Sequence, residues 1–281
     1  MANADQNPPR VAFQGELGAF SEEAVVSFFG SAAEPLPRRN FADVVDSVRR
    51  GEADFGLLPI ENTTVGGVAA ACDALAESEL NVIGEVIGLV RHCLLARPGT
   101  DFTDVRRVHS HPVALGQCSN FFRQHPQIEA IAAYDTAGAA LQVSQSNDPS
   151  LAAIASGRAA ERYGLIKLLE DFQDRADNQT RFLIVSRESL QPIEADAGNF
   201  KTALVLETEN GPGALVNALL PLARHQLNLT HLQARPGHTP WSYWFFLEIE
   251  GAGATTELAV QQLAACTLSL RVLGSFPRWR P

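Results

Sequence analysis

Cysteine is scarce in this chain. Its four residues, Cys72, Cys93, Cys118 and Cys266, are widely scattered and form no CxxC pair, so neither a zinc site nor a disulfide framework is indicated, and buried, reduced thiols are expected. Long apolar runs are missing too. No stretch of about 18 uninterrupted apolar residues is available to span a bilayer. The opening MANADQNPPR has neither the apolar core nor the cleavage pattern of an export signal. A soluble cytoplasmic protein is the expectation. Basic residues are outnumbered: 22 Lys and Arg against 32 Asp and Glu leave a formal charge of -10. That balance opposes nonspecific binding to nucleic acid or an anionic membrane, since both require positive charge to displace counterions. A small molecule is the expected partner. What the chain does have is 46% hydrophobic residues over 281, enough for one large or two modest cores.

From residue 10 to about residue 187 short apolar runs alternate with helical patterns, the signature of βαβ units and a largely parallel sheet. The first unit reads as a strand at Val11 to Phe13, a Gly-rich turn, and a helix capped by Ser21 and stopped by Gly30, with Glu22 and Glu23 favouring its positive end. Phe41, Val44, Val45 and Val48 then mark an amphipathic helix closed by Gly51, ahead of a buried strand over Phe55 to Ile60. Between Leu80 and Arg97 two strand-like runs follow one another without a helix, which predicts a crossing between two lobes. Further units place strands at Arg107 to His109, Ala130 to Tyr134, Ala152 to Ala155 and Arg181 to Ser186, with helices opening at Pro112 and after Thr136. Residues 188–199 are polar and lack either hydrophobic period, as an exposed linker would. Over 200–277 the elements read βαββαβ, the ferredoxin-like order, which informs about fold and not about function.

Four polar runs could carry chemistry, and one of them, Leu58 to Gly67, stands just after a buried strand, where ligand sites of open α/β sheets lie. QGELGAFSEE, with Gln14, Gly15 and Ser21, sets a helix start after a strand, where free backbone N–H groups suit a carboxylate; it also suits an ordinary strand-to-helix turn. LPIENTTVGG offers Glu61 as a proton donor if burial raises its pKa and Asn62 as a hydrogen-bond donor, or else forms a capped loop. SHPVALGQC brings Ser110, His111 and Gln117 to a helix whose first turn accepts Pro112; His111 there is either a structural hydrogen-bonding group or a proton-transfer candidate. In DNQTRF, Asn178, Thr180 and Arg181 enter the last strand, and Arg181 can pair bidentately with a carboxylate or with a surface acid. Helix starts at Ser110 and Thr136 resemble the first, and several converging on one cleft would bind a polyanion without a basic protein.

Taken together, QGxxGxFS, PIEN, SHPxALxQC and NxTRF ahead of a C-terminal unit resemble the prephenate dehydratase family in order and spacing, over about Val11 to Phe276. The resemblance implies a catalytic domain over 10–187 made of two α/β lobes similar to type 2 periplasmic binding proteins, with substrate between them. It implies Thr180, with Asn62 and Glu61, as the catalytic set, and Gln14, Gly15, Ser21, Ser110, His111, Gln117, Thr136, Ala137, Asn178, Arg181 and Phe182 around prephenate. No metal and no organic cofactor is implied. NGPGALVNALLPLARHQLNLTHLQARP is similar to an ACT domain, which implies a phenylalanine site at Gly213, Ala214, Leu215, Asn228, Leu229, Gln233, Arg235 and Pro236 of paired subunits, hence a homodimer or homotetramer. Gln233 and Ala234 depart from the Glu and Ser usual before Arg and Pro, which puts feedback inhibition in question. Arogenate dehydratase, on the strength of the Asp135 to Ala140 run, and a non-catalytic sensor of dicarboxylates or amino acids stay open as alternatives.

Overall fold

The computed structural model describes residues 7–190 and 198–280, so residues 191–197 of the expected linker lie outside the described residues. The first lobe runs through β1 (Arg10–Gln14), α1 (Phe20–Phe29), β2 (Glu34–Arg38), α2 (Phe41–Arg49), β3 (Phe55–Asn62), β4 (Gly66–Gly67), α3 (Ala69–Glu77) and β5 (Asn81–Leu89). At residues 90–92 the chain crosses to a second lobe, as the uninterrupted pair of strand-like runs predicts. That lobe comprises β6 (Cys93–Ala96), β7 (Arg107–Ser110), α4 (Pro112–Gln117), α5 (Ser119–Gln124), β8 (Glu129–Ala132), α6 (Thr136–Gln145), β9 (Leu151–Ala155), α7 (Gly157–Tyr163) and β10 (Ile166–Leu169). The chain then returns to the first lobe in β11 (Gln179–Ser186).

The sheet orders are β2-β1-β3-β11-β5 and β10-β6-β9-β7-β8. β11 inserts between β3 and β5 and is antiparallel to both, while β6 is antiparallel to β9 and β10. The largely parallel sheet expected from the alternation is therefore corrected to two mixed sheets. A strand that leaves a lobe and the strand that returns to it run in opposite directions, so each crossing inserts an antiparallel neighbour. β2 carries Pro35 and Pro37 and little strand signal; it occupies the sheet edge, where a missing N–H leaves no partner unsatisfied.

Local chemistry explains most helix ends. Asn40 caps α2 by accepting from the Asp43 N–H at 2.8 Å, and Val44, Val45 and Val48 are buried. Ser21 is not the cap of α1, contrary to expectation: the N-cap is Ala19, with no side-chain bond, and Ser21 is the second helical residue. Glu22 instead holds the turn ahead of the helix. It is buried, accepts from the Gly18 N–H, and pairs with Arg158 of the second lobe at 2.7 Å. Gly18 is required there, because it has φ of +93° and a Cβ would press on the Ala159 backbone.

The C-terminal unit consists of β12 (Phe200–Glu207), α8 (Ala214–Arg224), β13 (Leu229–Pro236), β14 (Tyr243–Glu250), α9 (Ala254–Ala264) and β15 (Ser269–Pro277), with antiparallel sheet order β13-β14-β12-β15. This is the βαββαβ arrangement expected. Alternation along β12 sends Leu204 and Leu206 into a core with α8 and α9, while Ala203 joins Phe246, Leu273 and Phe276 against Leu58, Val82 and Leu183 of the first lobe. One core thus runs from the C-terminal sheet into the lobe that carries β11. Cys72, Cys93 and Cys118 are buried as expected, whereas Cys266 is exposed, at the solvent side after α9.

Candidate active site

Between the lobes lies a cavity of about 300 Å³. From the first lobe it is lined by Gln14 and Gly15 at the end of β1, by the start of α1 with Phe20 and Ser21, and by Asn62, Thr180 and Phe182 on paired strands. The second lobe contributes His111 and Gln117 from α4 and its cap, and Thr136 at the start of α6. Four sequence runs spread over more than 160 residues of chain therefore meet, because the two crossings set the loop ends of both sheets face to face.

Asn62 organises the floor. Its Oδ1 accepts from the backbone N–H of Thr64 at 2.9 Å and of Val65 at 3.2 Å, and from the Thr64 hydroxyl at 2.6 Å. Backbone N–H groups only donate, so the amide orientation is determined, and Nδ2 points the other way. There it lies 2.9 Å from Thr180 Oγ1, 2.9 Å from Asn178 Oδ1 and 3.0 Å from the Gln179 carbonyl oxygen. Thr180 and Asn62 are register partners, which puts both on the cleft face of the sheet.

The next register pair, Arg181 and Glu61, falls on the opposite face by the two-residue period of a strand. Neither lines the cavity, contrary to the expectation that Arg181 holds a substrate carboxylate and Glu61 gives a proton. Arg181 instead bonds Glu248 at 2.8 Å and Glu85 and Glu61 at 3.2 Å each, in a buried cluster where Lys201 also reaches Glu85 at 2.8 Å. Burial opposes the guanidinium charge there, but the Glu248, Glu85 and Glu61 carboxylates outweigh it and hold the Arg181 pKa above its ordinary value. His231 of β13 sits 3.4 Å from Glu61 in the same cluster.

Three further expectations are corrected. Ser110 is fully buried and donates to the Ile154 carbonyl oxygen at 2.6 Å, joining β7 to β9. Ala137 is packed in the core, and Asn178 lies behind Asn62, so neither lines the cavity. The sequence reasoning in turn missed Phe20, His92, Tyr134 and Asp135 as lining residues. Asp135 caps α6 and accepts from the Glu16 N–H at 3.0 Å, and the Tyr134 hydroxyl donates to the Arg39 carbonyl oxygen, so both tie the lobes together across the mouth. Phe20 stood inside the QGELGAFSEE run and Asp135 opened the Asp135 to Ala140 run, whereas nothing local distinguishes His92 and Tyr134.

Among the described residues no Lys or Arg lines this cavity. The positive ends of three helices do: α1, whose first N–H groups lack a side-chain cap, and the starts of α4 and α6. Burial lowers the His111 pKa, with Asp135 opposing, and its Nδ1 accepts from the Val113 N–H at 3.2 Å, which makes it a neutral cap with Nε2 spare. Phe20 and Phe182 supply apolar walls.

The residues expected to hold an effector lie in the C-terminal unit. Gly213, with φ of +78°, caps α8, which opens with Ala214 and Leu215, while Asn228 immediately precedes β13 and Leu229 begins it. Gln233 and Arg235 face the first lobe: the Cys72 thiol donates to Gln233 Oε1 at 3.2 Å, and Arg235 makes a bidentate pair with Asp73 at 2.8 and 2.6 Å. Pro236 ends the strand on the exposed side.

Comparison with known proteins agrees with this geometry. The family description "Prephenate dehydratase" matches residues 11–190. The chain is 39% identical over 280 residues to arogenate dehydratase/prephenate dehydratase 2, chloroplastic, of Arabidopsis thaliana, covering 95% of this chain and 72% of that protein. Among solved structures, a prephenate dehydratase from Arthrobacter aurescens in complex with L-Phe superposes with a TM-score of 0.88 at 33% identity, over 96% of this chain and 90% of that one. A protein described as a novel type of quorum quenching acylase, GqqA, has the same TM-score of 0.88 and 33% identity, over 96% and 98%. The matched catalytic region, the identity sustained along nearly the whole chain and the cleft built from the four runs lead to one assignment: the chain belongs to the prephenate dehydratase family.

Proposed function

We propose that the cleft between the lobes carries out the family reaction, prephenate to phenylpyruvate with loss of water and carbon dioxide, and that Thr180 assists departure of the hydroxyl. The observation that carries this is the Asn62 Nδ2–H to Thr180 Oγ1 bond of 2.9 Å at the cleft floor. With an oxygen lone pair occupied by that donor, the Thr180 proton is left for a ligand. In the reaction the carboxylate carbon–ring bond breaks, its electrons enter the ring, and the carbon–oxygen bond to hydroxyl breaks; one proton taken up completes the water. Aromatisation drives the step, so the protein's share is orientation and stabilisation of the departing oxygen. A threonine hydroxyl is too weak an acid to supply that proton alone, and its role is a hydrogen bond to the leaving oxygen.

A substrate with two carboxylates meets the starts of α1 and α6, where N–H groups and helix dipoles favour anions without a cationic side chain. Phe20 and Phe182 suit its ring. Prephenate is proposed over arogenate as the main substrate, and parallel rates on the two decide it. The C-terminal unit is proposed as an ACT-type regulatory domain over 200–277, with L-phenylalanine as effector and pairing of two such units. Exposed Val216 and Leu220 on α8 and Leu232 on edge strand β13 support an apolar contact between copies.

The test is phenylpyruvate formation by wild type beside Thr180→Val, with prephenate binding followed by calorimetry. Loss of kcat by about a hundredfold or more, with binding kept, is the expected result, the size seen when one transition-state donor is removed. Unchanged kcat in the variant refutes the role of Thr180, and absence of turnover on both substrates refutes the dehydratase reading.

A further inference from the structure

His92 lies at the crossing between the lobes, on the cavity wall, and none of the chemistry above uses it. Its Nε2 is 2.8 Å from Gln117 Oε1, Gln117 Nε2 is 2.6 Å from Thr64 Oγ1, and the Thr64 hydroxyl is 2.6 Å from Asn62 Oδ1. Asn62 then reaches Thr180. We infer that His92 is a positioning residue heading a relay, His92 to Gln117 to Thr64 to Asn62 to Thr180, whose fixed direction leaves the Thr180 proton facing the substrate. This rests on the assignment of Thr180 to the leaving oxygen.

The direction follows from donor counting. Two backbone N–H groups hold Asn62 Oδ1 as an acceptor, so the bond from Thr64 must use the Thr64 proton. Thr64 has one proton, hence its oxygen accepts from Gln117, and the Gln117 amide must present nitrogen to Thr64 and oxygen to His92. Only an N–H on His92 Nε2 completes the set. Each donor therefore points toward Thr180, and none of the intermediate groups can reverse without breaking a hydrogen bond of the chain.

The surroundings of His92 agree with a neutral ring protonated on Nε2. Its side chain is buried, and Nδ1 has no hydrogen-bond partner among the described residues, which suits a bare nitrogen and not a second N–H. Burial lowers its pKa, with the Gln117 bond opposing. The Phe20 ring meets the imidazole edge-on at 5.4 Å, and the His92 backbone N–H donates to Gln173 at 2.9 Å, so both the ring and its backbone are held in place.

The experiment compares kcat and KM on prephenate for wild type, His92→Leu, His92→Gln, Thr64→Val and the double variant His92→Leu/Thr64→Val, with Tm and prephenate binding for each. His92→Leu is expected to lose about 10- to 100-fold in kcat with KM within about threefold, since the lost order acts on the departing oxygen. Gln places an N–H donor near the old Nε2, and recovery to within about fivefold of wild type is expected. Because both single changes break the same relay, the double variant falls little below the worse single one; independent structural roles would multiply their losses. Wild-type kcat in His92→Leu, or multiplied losses in the double variant, overturns the relay while leaving the Thr180 reading intact. If His92→Leu does not fold, Thr64→Val against Thr64→Ser tests the relay one link nearer to Thr180: full kcat in Thr64→Val overturns it. Full kcat in Thr180→Val removes the Thr180 reading, and the relay with it.

Discussion

Replacing Arg181 by methionine separates the two readings of that residue. As a substrate ligand, Arg181 would lose one or two charge-assisted hydrogen bonds of about 1.5–3 kcal/mol each, raising KM by about 10-fold or more with little change in stability. The structure puts it elsewhere: its side chain is 11% exposed and faces Glu248 at 0% and Glu85 at 3%. Without Arg181, the cluster of Glu61, Glu85 and Glu248 keeps Lys201 alone as a full cation among the described residues. Breaking a buried pair by removing one partner costs about 3–5 kcal/mol, because a desolvated charge is stranded. At about 2–4 °C per kcal/mol for a chain approaching this size, Tm falls by about 6–20 °C. Thermal melts by circular dichroism, with initial rates taken well below the lowered Tm, are the assay. Arg181→Lys, which keeps the charge, recovers part of the loss. A variant with the wild-type Tm and a KM raised 10-fold refutes this account and returns Arg181 to the substrate.

Two more outcomes are expected. Burial pushes the Cys72 and Cys118 thiols up to about 12 and Cys93 up to about 11, and Cys266 alone is exposed. A thiol reagent at about pH 8 should thus modify one of the four cysteines in the native protein and all of them in denaturant; rapid modification of a second native thiol contradicts the packing. Burial also lowers the pKa of His92 and His111 below 6.5 in the folded chain. The unfolded chain then binds more protons just below that pH, so the stability they contribute is complete above 6.5 and is lost as pH falls toward the folded-state values. Tm should decline over that window and decline less in His92→Gln; an equal decline removes His92 from the effect.

Local chemistry made much of this protein readable from its residues. The 3.6-residue spacing of Val44, Val45 and Val48 and the stop at Gly51 place α2 correctly, and the βαββαβ order of the C-terminal unit follows from its periodicities. The crossing at residues 80–97 was readable as well, as a break in alternation. The edge strand β2 was not, because Pro35 and Pro37 signal against strands unless the edge position is known.

At the site, sequence determined that Thr180 and Asn62 belong together with Gln14, His111, Gln117 and Thr136, since those residue types recur in motifs of one family. It did not separate Thr180 from Arg181, both of which the family motif implied around one substrate, although neighbouring side chains of a strand point to opposite faces. Which way each faces was decided only in three dimensions. β11 lies between two antiparallel neighbours with the second lobe on one side and the C-terminal sheet on the other. Parity therefore sends Thr180 into the cleft and Arg181 into Glu85 and Glu248, acids that are distant in sequence and carry no mark of the pairing. His92 is the same case: its relay runs through contacts across 25, 53, 2 and 118 residues of chain, and only packing that closes those separations makes one imidazole matter to one hydroxyl.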